Sequence, residues 1–441
     1  MSVHHADQQS RPDHRREAEH SRAEQSDASA RGAGKTGRPH GDTDATATLE
    51  RETTSLLHQP KALWATALAS VFAFMGIGLV DPILPAIAVN LEASHAEVSL
   101  LFTSYFLITA LAMLVTGVVS SRIGGKKTLL IGLALIVVFA SLSGLSGDVA
   151  QLVGFRAGWG LGNALFVATA LAVIVGVASG GSGVAIVLYE AALGLGISLG
   201  PLVGALLGGW QWRAPFFGTA VLMAAAFIAL SVLLPTLPAA ATRTRLRDPL
   251  AALGHRGLRT TAIAAFFYNF GFFTVLAFVP FVLGMGAYGI GAVFFGWGVL
   301  LAVCSVFLAP VLQNRFGTTA VLAGSLVGLA IVLGLLAVFA VSLIPAVVVL
   351  TILSGALLGV NNTLFTELAM EVSDAPRPVA SAGYNCVRWL GGALAPFVAT
   401  TLAEHVGSAV PFVVAGVMVL VSAAVILGGR RLLDRHEPAH V

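Results

Sequence analysis

Charge is scarce in this chain. Asp, Glu, Lys and Arg make up 11% of its 441 residues, and 56% are hydrophobic; a soluble domain carries about 25% charged residues. The little charge present crowds the front: ten of the 22 acids and eight of the 25 basic residues fall within the first 60 positions. What remains is too sparse to solvate a globular surface, so a polytopic membrane protein is expected. Lysine is nearly missing, at four residues. The slight excess of base, a formal +3, does not imply a nucleic-acid partner, because the basic residues mostly sit in short loops. Cysteine is nearly missing too. Cys304 and Cys386 lie in apolar segments of opposite halves, which excludes a disulfide framework.

Other absences narrow the classes further. Residues 1–60 hold no apolar core, so no signal peptide is expected there. They are rich in Arg, Glu, Asp, His, Ser and Gly and are expected to be disordered. The six histidines of this stretch (His4, His5, His14, His20, His40 and His58) are scattered, which fits a solvated tail better than a metal site. Gly34-Lys35-Thr36 resembles the end of a phosphate loop, but Ser29 stands where that loop needs glycine, and no strand precedes it. There is no Ser/His/Asp set, no clustered metal ligands in the membrane part and no nucleotide-binding domain. Neither an enzyme nor a cofactor is expected.

Long apolar runs are what the chain has instead. A helix needs roughly 20 such residues to cross a bilayer. Twelve runs fit, at 64–86, 98–119, 127–146, 150–175, 183–208, 214–236, 260–284, 289–312, 318–340, 345–367, 379–402 and 409–429. The longest connection, 237–259, carries Arg243, Arg245, Arg247, Arg256 and Arg259 and divides the runs six and six. The expected organisation is a disordered cytoplasmic tail (1–61), a six-helix bundle (62–236), a cytoplasmic linker (237–259), a second bundle (260–430) and a short cytoplasmic tail (431–441). Basic residues orient membrane helices. With the N-terminus inside, the inner loops hold Arg122, Lys126, Lys127, the five linker arginines, Arg315 and Arg377, and the outer loops hold only Arg213. Both termini are therefore expected in the cytoplasm of a multi-pass plasma or inner membrane protein.

The halves also repeat. Gly76 to Pro85 and Gly271 to Pro280 are the same spacing, 195 residues apart, and Tyr189-Glu190…Gly196…Pro201 falls on Tyr384-Asn385…Gly391…Pro396 at that offset. The offset drifts to 193 at Arg122/Arg315 and to 199 at Gly160-x-x-Asn163/Gly359-x-x-Asn362. Two similar halves in an apolar chain mark a secondary transporter with its site between them. The expected fold is all-α, with twelve transmembrane helices in two pseudo-symmetric six-helix bundles.

Two motifs speak to packing and gating. Segment five carries Gly196, Gly200, Gly204 and Gly208 at every fourth position, with Pro201 beside Gly200. Such a stripe lets a neighbouring helix approach closely, and the proline bends the segment. The loop after segment two runs from Gly117 through Ser121, Arg122, Gly124 and Gly125 to Lys126 and Lys127, and Asn314-Arg315-Phe316-Gly317 partly copies it. A turn used twice fits a hinge or latch, or equally a topology anchor.

The embedded charges point to the working site. An arginine in hydrocarbon costs at least ~2.5 kcal/mol on insertion scales and needs a cavity and a partner. Arg156 shares one helical face with Gly160 and Asn163. At 1.5 Å per residue it lies about 9 Å below the outer end of segment four, a depth that matches Asp81 in segment one. The two are expected to face each other. Glu190 in segment five and Arg388 in segment eleven, with Tyr384 and Asn385 on its face, are also embedded. Across the repeat Asp81 becomes Leu276, Glu190 becomes Asn385, Arg388 becomes Leu193 and Arg156 becomes Gly355. The scaffold repeats while the charges do not, which favours work over glue. The aromatic run of segment seven offers Tyr268 and Asn269 as polar handles for an apolar cavity, or else faces lipid. With Asn163, Asn361, Asn362, Asn385 and Arg388 they make the candidate substrate cavity.

These residues resemble the major facilitator superfamily across about 62–430. The loops after segments two and eight look like its G-x-L-a-D-R-x-G-R-K signature, and segment four looks like its R-x-x-x-G motif. The glycine-proline stripe looks like its antiporter motif, and Gly76-x5-Pro82-x-x-Pro85 looks like the first-helix motif of its twelve-helix drug:proton antiporters. The resemblance implies a monomeric exporter of lipophilic small molecules, driven by a proton gradient. Asp81 would bind the proton, with Arg156 as its modulator and Glu190 in the coupling set. Gly117, Arg122, Gly124, Lys126, Gly196, Gly200, Pro201 and Gly204 would serve gating and packing. Ser121 stands in place of the family's loop acid, Gly125 in place of its second arginine, and Trp159 where Gln is common. A dedicated exporter of a sugar, amino acid or siderophore, or a non-transporting membrane sensor or scaffold, are the alternative readings.

Overall fold

A backbone crossing hydrocarbon must satisfy its own hydrogen bonds, which only helices and closed barrels do. The computed structural model of the chain describes residues 59–178, 181–236 and 245–433, with the side chains of 181–187, Glu190 and Pro378 outside that description. The expectations for the two tails and for Arg243 lie outside it as well. Among the described residues twelve helices are long and apolar enough to span a membrane. They are α1 (Lys61–Asn90), α2 (His95–Ile123), α3 (Gly125–Leu145), α4 (Val149–Val177), α5 (Gly181–Trp210), α6 (Ala214–Leu233), α7 (Arg256–Leu283), α8 (Ala287–Phe316), α9 (Thr318–Phe339), α10 (Ile344–Glu371), α11 (Arg377–His405) and α12 (Val410–Leu433). Between α6 and α7 the linker forms a short helix, Asp248–Ala252, which the sequence pattern does not reveal.

The helix α1 is not continuous. It is α-helical over Lys61–Gly78, tightens to a 3-10 turn at Asp81–Ile83, and resumes at Leu84–Asn90. Pro82 and Pro85 account for the break, since each lacks a backbone N–H and crowds the carbonyl four residues earlier. Asp81 therefore sits at the defect in its helix.

The glycine stripe of α5 packs on that same helix. A Cβ added at Gly196 would stand 2.6 Å from the Val71 carbonyl, and one at Gly200 2.6 Å from the Met75 carbonyl; Gly204 meets the Leu79 carbonyl and Gly208 the Ile83 side chain. The second bundle repeats the arrangement, with Gly391 of α11 against the Phe266 carbonyl of α7. Likewise Gly160 of α4 abuts the Tyr105 carbonyl of α2, and Gly359 of α10 abuts the Leu301 carbonyl of α8. These close approaches bring helix backbones together without intervening side chains.

The turn used twice is also structural. Gly124 has φ 88° and ψ 154°, and Gly317 has φ 78° and ψ 155°, a conformation that favours glycine. These loop side chains bond within their own bundle. The Lys126 ammonium donates to the Ser231 carbonyl at 3.0 Å and to the Leu234 carbonyl, capping α6 of its own bundle, where the orphan carbonyls of a helix end attract a cation. Ser121 donates to the Val118 carbonyl at 3.0 Å, Gly117 is half-buried and Arg122 is exposed.

The halves meet along α2 on α11 and α5 on α8. Gly291 of α8 lies 2.9 Å from the Pro201 carbonyl and Gly298 lies 2.7 Å from the Ser198 Cα, both measured from an added Cβ. Ser99 and Thr400 hydroxyls bond at 2.9 Å, and the Ala96 N–H donates to a Glu404 carboxylate oxygen at 2.9 Å. His95 stacks on Phe281 with ring centroids 4.2 Å apart. All three contacts lie at the end of the molecule that carries the α1–α2 loop.

Candidate functional site

The first charged chamber is built by α1, α2, α4 and α5. Asp81 is fully buried at the break in α1. Its Oδ2 lies 3.5 Å from where a Cβ on Gly78 would stand, and the Pro201 ring of α5 closes the same space at 3.0 Å. Neither carboxyl oxygen has a hydrogen-bond partner. Arg156 is also fully buried, and none of its three guanidinium nitrogens has a hydrogen-bond partner. Its guanidinium sits in the corner of two perpendicular rings, 4.5 Å from the Tyr105 centroid and 4.4 Å from that of Trp159. A desolvated cation–π contact stabilises by about 2 kcal/mol, so the two rings stand in for the missing acceptors.

Asp81 and Arg156 are expected to face each other. The two groups share the chamber and lie within electrostatic reach of each other, but they form no ion pair. The rings claim the guanidinium, and the helix break holds the carboxyl against α5. Trp159 fits because Gly76 has no side chain: an added Cβ there would be 3.1 Å from the indole. The glycine of the first-helix motif and the tryptophan of segment four are thus one contact. Asn163 lies further along α4, nearly buried, with its Oδ1 unpartnered.

The second site centres on Arg388 of α11. Its Nε donates to Asn269 Oδ1 at 3.4 Å, its Nη1 to Thr366 Oγ1 at 3.4 Å, and its Nη2 to Asn362 Oδ1. Asn269 also donates to the Arg388 carbonyl at 3.0 Å. The guanidinium carbon lies 5.9 Å from the Tyr384 ring and 5.8 Å from the Trp389 ring. Arg388, Asn362, Thr366 and Trp389 are half-buried.

Several cavity assignments change here. Tyr268 is buried, donates to the Leu358 carbonyl at 3.0 Å and stacks on Phe365 at 5.2 Å, so it ties α7 to α10. Asn269 is spent on Arg388. Asn361 is fully buried, with both side-chain polar atoms unpartnered. Half-buried Asn385 donates to Ser381 of its own helix at 3.1 Å. The side chain of Glu190 lies outside the described residues. The sequence reading missed Tyr105, Thr366 and Trp389 and treated Trp159 only as a departure. Thr366 stood one helical turn beyond Asn362, a usable signal; Tyr105 had none, since only the fold brings α2 to Arg156.

Twelve spanning helices in two repeated bundles, with unrepeated charges buried inside, define a polytopic secondary transporter. The chain belongs to the Major Facilitator Superfamily, whose family model matches residues 66–372 and 261–440. It is 52% identical over 393 residues to the "Multidrug efflux protein YfmO" of Bacillus subtilis (strain 168), covering 89% of this chain and 99% of that protein. It is 34% identical over 177 residues to the "Tetracenomycin C resistance and export protein" of Streptomyces glaucescens, covering 39% of this chain and 33% of that one. Among solved structures, a bacterial homologue of the human lysosomal transporter Spinster superposes with a TM-score of 0.69 at 16% identity, over 86% of this chain and 98% of that one.

Proposed function

We propose that the protein exports lipophilic small molecules across the plasma membrane by alternating access, in exchange for protons, with both termini in the cytoplasm. The observation that carries the coupling is the chamber in which Asp81 and Arg156 are both buried and unpaired. The 52% identity to a protein named for multidrug efflux supports the cargo class, and the basic inner loops support the orientation. In that orientation the Ser99–Thr400 and Ala96–Glu404 bonds close the outer end of the seam between the halves.

An ionised carboxylate without a donor would carry a large desolvation cost, so this arrangement suits Asp81 in its neutral form with Arg156 held by Tyr105 and Trp159. Loss of the proton to the cytoplasm leaves a bare anion beside an unbonded cation. Arg156 then leaves the rings for Asp81, and the difference in interaction between the two protonation states biases the bundles toward the outward orientation. Outside, a fresh proton neutralises Asp81, Arg156 returns to the rings and the substrate leaves.

The test is a panel of labelled compounds in proteoliposomes with an imposed pH gradient. Proton movement tied to efflux of several unrelated lipophilic compounds is expected. Movement with a single polar metabolite alone would replace this reading with a dedicated exporter, and no substrate-dependent proton flux would remove it. Closure of the seam can be tested separately. Ser99→Cys with Thr400→Cys, in a background lacking Cys304 and Cys386, places two thiols where hydroxyls now stand 2.9 Å apart. Disulfide formation tolerates Cα separations of about 4.4–6.8 Å. Oxidation is expected to stop efflux and a reductant to restore it; oxidised protein that still transports would show that this seam does not open.

A further inference from the structure

Arg388 is the second embedded guanidinium, and the proton cycle makes no use of it. We propose that Arg388, positioned by Asn269, Asn362 and Thr366, is a subsite for the anionic group of an aromatic organic anion, so that the cargo includes acidic compounds; this deepens the export reading and rests on it.

The acceptors around Arg388 carry the inference. Asn269, Asn362 and Thr366 come from two helices, α7 and α10, and each bonds one guanidinium nitrogen. All three are neutral, so they aim the cation without cancelling its charge. Among the described residues no carboxylate lies within ion-pair distance of it. A guanidinium has five N–H donors; three bond these neighbours, two of them in long bonds of 3.4 Å, and the Tyr384 hydroxyl, also neutral, lies close by. A carboxylate or sulfonate takes two parallel N–H bonds from such a fork. The group is also reachable. Arg388 is half-buried, whereas Arg156 is sealed against rings.

Beside the guanidinium stands an aromatic wall. Trp389 lies 5.8 Å from the guanidinium carbon, 5.2 Å from the Phe106 ring of α2 and 5.8 Å from the Phe273 ring of α7. Phe106 and Phe273 are buried behind it, so an anion at Arg388 would lay its apolar body against half-buried Trp389, which rings from both bundles hold in place. The charge is moreover no part of the repeated scaffold, since Leu193 occupies the equivalent position in the first half.

The probe is 2-naphthalenesulfonate, which stays ionised at every working pH, set against its neutral sulfonamide. Binding of both to the detergent-purified full chain is read by calorimetry. The wild type is expected to prefer the sulfonate by about tenfold or more, a difference of about 1.4 kcal/mol. Arg388→Gln is expected to erase that preference and Arg388→Lys to keep part of it. The wild-type comparison needs no variant to fold, and absence of a preference there overturns the proposal. So does a preference that survives Arg388→Gln. A preference gained on Glu190→Gln, or function restored by exchanging the two residues as Glu190→Arg with Arg388→Glu, would make Arg388 one half of an internal ion pair and overturn it as well. Wild-type efflux of ethidium from proteoliposomes separates the two readings. Ethidium export without sulfonate preference removes the anion subsite alone, and sulfonate preference without transport of any probe removes the export reading alone.

Discussion

Asp81→Asn is expected to reduce proton-driven efflux to the leak of protein-free liposomes while leaving the chain folded and able to exchange substrate down its gradient. Asparagine has nearly the same size and shape, so the packing against Gly78 and Pro201 should survive. What it loses is the capacity to alternate between a charged and a neutral form. The burial of Asp81 without any hydrogen-bond partner makes that alternation consequential, because adding or removing one unit of charge in a dry chamber changes the free energy by far more than it would in water. In the first bundle the other described embedded charge is Arg156, which does not titrate usefully. Two measurements check the expectation together: efflux against a gradient, and counterflow with no gradient imposed. Loss of the first with retention of the second places Asp81 in coupling. Undiminished substrate-driven proton release by the variant would remove it from that role.

The scaffold was legible in the sequence, and the reason is physical. Hydrocarbon forces long apolar runs into helices, so length and composition alone locate twelve spans. The glycines at 196, 200, 204 and 208 announced a close neighbour, because a stripe without side chains has little other use. They could not say that the neighbour is α1, since partner choice depends on the three-dimensional order of the helices. The reading of the charges stopped at the same boundary. Depth along a helix follows from residue counting, and it correctly put Asp81 and Arg156 at one level; the direction in which each side chain turns does not follow. Counting set the two facing each other; only the fold shows the guanidinium held against two rings as well. For Tyr268 and Asn269 the error had another source. A polar group in an apolar segment reads equally as a ligand contact or as an internal tie, and only the positions of the Leu358 carbonyl and of Arg388 decide for the tie. For Lys126 the fold adds a partner that residue counting could not supply, the carbonyl end of α6.

Replacing Arg156 with methionine is expected to abolish coupled efflux as completely as the loss of Asp81, and the graded variants around it separate charge from shape. Methionine keeps the apolar contacts with Tyr105 and Trp159 but removes the cation that lies within electrostatic reach of the acid. Lysine keeps the charge and loses the flat face. A guanidinium spreads its charge over three nitrogens and reaches both perpendicular rings, 4.5 and 4.4 Å away, whereas an ammonium is a compact, strongly hydrated point charge. Arg156→Lys should therefore retain slow coupled efflux. Trp159→Leu tests the parking place itself. Loss of one ring removes about 2 kcal/mol of cation–π stabilisation, roughly a thirtyfold shift toward Arg156 engaging Asp81. Half-maximal efflux should then need a higher external proton concentration, with counterflow little changed. A merely structural tryptophan would instead lower efflux and counterflow in parallel without moving the proton dependence. That parallel loss would reduce the ring contacts of Arg156 to packing and leave Asp81 to work without a switch.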